Sequence, residues 1–274
     1  MILPIALYSI QLFANLPQFD RSKNHLPFQL AWGPYIVRVE QVSTNKSDTA
    51  QKVRILNKRG KLIKEIQSRF INKVETVELT GEAPKDLHIL SWSGGAYCCL
   101  TDLYFTMDNR LQNILIFRGE DLGIQSIINV HNDNRPIIVV NNPALGDFSA
   151  NNFHRHYPLV TVLRWKRNRF VDVTRYYPEN SLIQANLLKK KVWDDIHKQS
   201  QYYHEWEVQD EIAAYYANML AVRQKDKAQK WIRDYLPKRL RRWLHSHGKE
   251  LQIIVSTAAR RRASVNQSNH IKIN

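Results

Sequence analysis

Between Phe28 and Tyr176 the chain repeats one pattern: a short run in which apolar and polar residues alternate, then a turn signal. A strand sends successive side chains to opposite faces, so this period of two predicts strands with one face buried. "YIVRVEQV" (35–42) sets Val37 and Val39 on one face against Ile36, Arg38 and Glu40 on the other. "KVRILNKRGKLIKEI" predicts a hairpin turning at Gly60, and a second hairpin turns at Asp108-Asn109-Arg110. A third turns on Arg167-Asn168 within "LVTVLRWKRNRFVDVTRYY". About eleven short strands are expected here, at the spacing of an all-β domain.

From Ser181 the period changes. Val208, Ile212, Tyr215, Met219 and Val222 recur at helical spacing. So do Leu240, Trp243, Leu244, His247, Leu251, Ile254 and Ala258. "SLIQANLLKKKVWDDI" is expected to open the helical part with Ser181 as its N-cap, and "KAQKWIRDYL" to stop at Pro237. The expected organisation is a signal or apolar N-terminal segment (1–20), an all-β domain (28–177), a helical domain (181–263) and a disordered tail (264–274). The fold class is therefore β-rich antiparallel sheets followed by a small helical segment, α+β overall.

Charge divides along the same line. The net charge is +15, and residues 181–274 hold 18 basic against 9 acidic residues, where 1–180 hold 22 against 16. "PKRLRRWLHSHGKE" and "ARRR" concentrate Lys238, Arg239, Arg241, Arg242, Lys249 and Arg260 to Arg262. The partner expected is a protein, a polysaccharide or another anionic surface. Nucleic acid is the second choice, because no helix-turn-helix, zinc-finger or aromatic RNA-binding signature accompanies the arginines.

"MILPIALYSIQLFANLPQ" carries an apolar core of signal-peptide length, although no Lys or Arg precedes it and Leu12 to Ala14 make a poor cleavage site. The expectation is export, hence a periplasmic or secreted protein. A buried first element in a cytoplasmic protein is the alternative. No stretch reaches the roughly 18 to 20 apolar residues that a membrane-spanning helix needs.

The two cysteines, Cys98 and Cys99, are neighbours. In a strand their side chains diverge, and adjacent Cα atoms lie closer than a relaxed disulfide requires. A bridge between them would be strained and reducible, which leaves a thiol redox pair as an alternative function. Burial as small apolar residues is the plainer reading. The long Asn-rich stretch "NNPALGDFSANNFHRHY" (141–157) supplies candidate binding residues Asn141, Asn142, Asp147, His154 and His156. Arg239, Arg241 and Arg242 join them. On a strand His154 and His156 would share a face, but no third metal ligand follows nearby. Asp102 and Asp147 could each be an acid or a base, with no partner assignable from sequence. No Gly-rich phosphate loop, Gly-x-Ser-x-Gly elbow, His-Glu-x-x-His or Cys-x-x-Cys is present, so no motif supports an enzyme and no cofactor is expected.

"INVHNDNRPIIVV" (128–140), a strand, a polar loop and a hydrophobic strand, resembles the FG-GAP/VCBS class of β-propeller repeat. That class binds calcium through Asp-x-Asp-x-Asp-Gly-x-x-Glu. The matching positions here are Asn129, His131, Asp133, Asn134 and Ile137, with one carboxylate among them. The resemblance implies a degenerate loop without calcium, since calcium is held by several carboxylate and carbonyl oxygens. "SGGAYCC" and "YPLVTVLRWKRNRFVDVTRYYP" are similar to an uncharacterised family of bacterial, often exported proteins that pair such strands with a helical C-terminal segment. A propeller blade has four strands, so about eleven make fewer than three blades. The resemblance therefore implies a partial or open propeller-like stack, or a sandwich, with helices covering an edge. The resemblance lends no activity, and the functional expectation from the whole sequence is a non-enzymatic, exported binding or scaffold protein. A cytoplasmic nucleic-acid-associated protein and a thiol redox protein are the alternatives.

Overall fold

The computed structural model describes residues 18–44, 48–93, 100–108, 110–118, 123–130, 135–145, 157–197, 205–258 and 270–272. A two-residue strand, β1 (Phe19–Asp20), precedes twelve strands that form three consecutive four-stranded meanders. The first is β2 (Phe28–Trp32), β3 (Tyr35–Thr44), β4 (Asp48–Asn57) and β5 (Leu62–Ser68). The second is β6 (Phe70–Val77), β7 (Asp86–Trp92), β8 (Leu100–Asp108) and β9 (Arg110–Arg118). The third is β10 (Gly123–Ile128), β11 (Ile137–Asn142), β12 (Leu159–Trp165) and β13 (Phe170–Asp172). Within each meander, neighbours in sequence pair antiparallel. β1 joins the edge of β6, and β14 (His270–Lys272) runs parallel beside β5.

Twelve strands rather than eleven make three whole four-stranded units. The strand beyond the expected count is β2, whose pairing with β3 is closed by Gly33 and Pro34 alone. Gly33 has φ 54°, and a Cβ there would sit 2.9 Å from both Met107 Cε and Pro84 Cγ. Glycine is what lets this hairpin close.

The alternation seen in the sequence becomes layers. Val37, Val39, Val53, Ile55 and Ile66 pack against Ile71, Val74, Leu87, Ile89 and Leu103, joining the first meander to the second. The opposite face of the second meander sets Tyr104, Leu115 and Phe117 against Ile138, Val140, Leu163 and Trp165 of the third. The outer face of the first meander is charged: Arg54 bonds Glu40 and Glu65, each at 2.9 Å, with Lys52 and Arg38 beside them. The stack therefore ends there and stays open.

Four helices follow: α1 (Glu179–His197), α2 (Glu205–Ala221), α3 (Lys225–Tyr235) and α4 (Lys238–Ala258). Their apolar faces meet Leu145 and Leu159 of the third meander in one core. β13 pairs only with residues 163–165, so the edge of β12 at Val160 lacks a strand partner. Asn218 of α2 supplies one, accepting from the Val160 N–H at 3.0 Å and donating to the Pro158 carbonyl at 3.1 Å. Ser181 Oγ donates to the Val160 carbonyl at 3.3 Å. Ser181 is thus no N-cap. The helix starts two residues earlier, and the hydroxyl seals a sheet edge whose polar groups would otherwise be buried unpaired. No helix among the described residues is long and apolar enough to cross a membrane.

Candidate functional site

On the face of the second meander that looks toward the third, pairing brings polar residues into one row. Glu75 on β6 lies opposite His88 on β7, and His88 lies opposite Tyr104 on β8. Asp102, two residues before Tyr104, shares its face because strand side chains alternate. His88 Nδ1 is 2.9 Å from Glu75 Oε1, and Nε2 is 2.6 Å from Asp102 Oδ1. The imidazole stacks on the Tyr104 ring at 4.5 Å and 6°. The Tyr104 ring in turn meets Phe117 edge-on at 6.2 Å. Lys73 Nζ holds the other Glu75 oxygen at 2.8 Å.

Burial alone would push the His88 imidazolium down, but its hydrogen bonds to Asp102 and Glu75 outweigh that and hold it above its ordinary value. Burial likewise works against the Glu75 charge, and the bonds to His88 and Lys73 overcome it and keep the carboxyl low. Burial, then the charges of Asp102 and Glu75, drives the Tyr104 phenol upward, so it stays a neutral donor. The two carboxylates therefore favour the imidazolium form of His88, in which both nitrogens donate.

Strand β10 completes the site. Ile124, Gln125, Ser126 and Ile127, with Val77, wall a pocket of about 380 Å³ over Glu75, His88, Asp102 and Tyr104. Gly123 opens this strand at φ 124°, and a Cβ there would lie 3.3 Å from Asp102 Oδ2. That oxygen bonds no other described residue. Glu75 and Asp102 are balanced by Lys73 and the protonated form of His88, and Asp102 Oδ2 is the acceptor left toward the pocket. Such a surface can accept hydrogen bonds from a cation. Both imidazole nitrogens are already engaged by carboxylates, so neither faces a ligand.

A second buried polar cluster fastens helices. Glu211 Oε1 accepts from the Tyr157 hydroxyl at 2.8 Å and pairs with Lys191, which also holds Asp195 at 2.6 Å. It ties α1 and α2 to the residue that leads into β12.

Asp102, one of two carboxylates the sequence offered as an acid or base, lines the pocket, and none of the described candidate binding residues joins it. Asn142 is buried, donating to Thr161 Oγ1 at 3.3 Å and accepting from the Ala144 N–H at 3.0 Å, so it shapes the turn after β11. Asn141 pairs opposite Gly123 and Val160 in the third meander. Asn129 is exposed beyond the end of β10. Arg239 pairs with Glu205 at 3.2 Å, Arg241 donates to the Arg233 carbonyl at 3.1 Å, and Arg242 is exposed. Cys98, Cys99, His131, Asp133, Asp147, His154 and His156 lie outside the described residues. Glu75 and His88 were missed because each is an unremarkable polar residue in its own strand. Their one signal was a polar residue at an inward position of an alternating run.

No family model, no curated protein and no solved structure matches the chain.

Proposed function

We infer that this is a non-enzymatic binding protein whose β region receives a small cationic ligand between the second and third meanders. One observation carries the reading: both His88 nitrogens bond carboxylates while Asp102 Oδ2 is left for a ligand. A general base needs an imidazole nitrogen within reach of the proton it takes, and here both are occupied. A primary amine or guanidinium head on Asp102, with a short apolar body against Val77, Ile124 and Ile127, matches the lining and the small volume. The FG-GAP-like resemblance and an exported location belong to the same reading. Three consecutive four-stranded meanders support the propeller-like part of it.

Thermal unfolding with primary amines, guanidinium compounds and neutral sugars tests the ligand class. Amines or guanidinium compounds should raise the midpoint of the wild type and lose that effect in Asp102→Asn, with sugars inert. No shift with any cation, or the same shift in Asp102→Asn, overturns the reading. Export is tested by the intact mass of the mature protein in cell fractions: loss of about 15 to 25 N-terminal residues supports it, and a retained Met1 in the cytoplasm refutes it.

A further inference from the structure

The helical unit displays a surface that its own packing does not use. Along α1, Ser181, Ala185, Leu188 and Val192 face the core, whereas Ile183 and Leu187 are 60% and 59% exposed. Trp193, 42% exposed, lies about 15 Å beyond Ile183 along the helix and roughly 80° round it, beside that stripe. Its ring meets Tyr235, the last residue of α3, at 5.7 Å and 76°, and Tyr235 is itself 52% exposed. Two aliphatic and two aromatic side chains thus stand in solvent on adjoining elements, while the core beneath them is already filled.

Cations border this stripe. Lys190 is exposed within it, between Leu187 and Trp193. Arg233 precedes Tyr235, and Arg241 Nη1 donates to the Arg233 carbonyl at 3.1 Å, which brings the start of α4 to the same corner. Lys238 and Arg242 are exposed there. Three acids nearby are engaged, Asp234 by Lys230 at 2.6 Å, Asp195 by Lys191 at 2.6 Å and Glu205 by Arg239 at 3.2 Å, while Glu179, one turn before Ile183, is exposed.

We propose that this corner docks on an anionic membrane surface, with Ile183, Leu187 and Trp193 entering the acyl boundary and the cations meeting lipid phosphates. An interfacial helix carries an apolar face with Trp and basic residues flanking it, and neither feature holds well without the other. Tyr and Trp place an apolar ring and a polar tip at the same boundary. Nucleic acid would satisfy the cations but gain nothing from Ile183 and Leu187. A second copy would cover the aliphatic residues but bring two cationic rims together. None of these residues lines the β-region pocket, so the proposal stands apart from the ligand reading.

The test is co-sedimentation of the full chain with vesicles of phosphatidylcholine, alone or mixed with phosphatidylglycerol. The wild type should bind the mixed vesicles, release them in high salt, and ignore pure phosphatidylcholine. Ile183→Glu with Leu187→Glu should weaken binding roughly tenfold or more at unchanged circular dichroism, since both sites are exposed. Trp193→Ser and Arg242→Gln should each weaken it several-fold. No binding to the mixed vesicles, or full binding by the double glutamate variant, overturns the proposal. So does binding to a DNA duplex or poly(A) that survives Ile183→Glu/Leu187→Glu, which assigns the surface to nucleic acid. Self-association abolished by the same variant assigns it to a second copy and also refutes the membrane.

Discussion

The His88 ring is clamped between Glu75 and Asp102, and its positive charge is worth most where the unfolded chain also carries it. Its folded pKa lies above the ordinary 6.5, so the folded state keeps a proton that the unfolded state has lost. Stability from this group is complete below pH 6.5 and falls as pH rises through the folded value, by at most about 1.4 kcal/mol per pH unit. Urea unfolding from pH 6 to 10 should show that decline in the wild type and a flatter curve in His88→Ala. The same substitution leaves Glu75 and Asp102 facing each other unbridged, and should cost about 3–5 kcal/mol at pH 6. Gly123→Ala is a second residue-scale test. At φ 124° a side chain is strained, and its Cβ would crowd Asp102 Oδ2, so about 1–3 kcal/mol should be lost together with ligand response. Chemical denaturation and the amine titration read the two effects separately.

At the scale of elements, the joint between sheet and helices rests on few polar groups. Asn218 makes three hydrogen bonds, to Val160, Pro158 and Ala214. Asn218→Ala leaves the buried Val160 N–H unpaired and should cost about 1–3 kcal/mol. Amide exchange should show Val160 losing protection first, while Val139 in the neighbouring strand keeps its own. The elements themselves were largely legible. Period two located the strands from β3 to β13, and period 3.6 placed the buried Leu240, Leu244, Leu251 and Ala258 of α4. Arg167 and Asn168, with φ 53° and 59°, close the β12–β13 hairpin where the turn was expected. What periodicity cannot carry is pairing. Glu75, His88 and Asp102 meet only because three strands align in one register, and Ser181 looked like a cap because its partner lies 21 residues back, on β12. A local pattern names the face a side chain takes, not the neighbour it finds there.

The whole molecule is one stack, in which each layer hides the face of the next. Leu145 and Leu159 belong to the same core as Ile212, Trp231 and Leu240, so sheet and helices should unfold together. The helical circular dichroism signal and exchange of buried amides in β7 and β12 should give coincident urea transitions; a helical signal lost first would show two independent units. Charge follows the stack as well, with the basic excess concentrated toward the helical end.

The lattice of ion pairs outside the first meander, Arg54 with Glu40 and Glu65, then acquires a meaning beyond solubility. A pile of equivalent sheets has no intrinsic length, and an apolar outer face would accept another sheet from a neighbouring molecule as readily as from its own chain. Ion pairs at one end and helices at the other act as terminators, as end groups do on a growing polymer. The protein is in this sense an oligomer of three sheets within one chain, and its charged end offers no apolar face for a fourth.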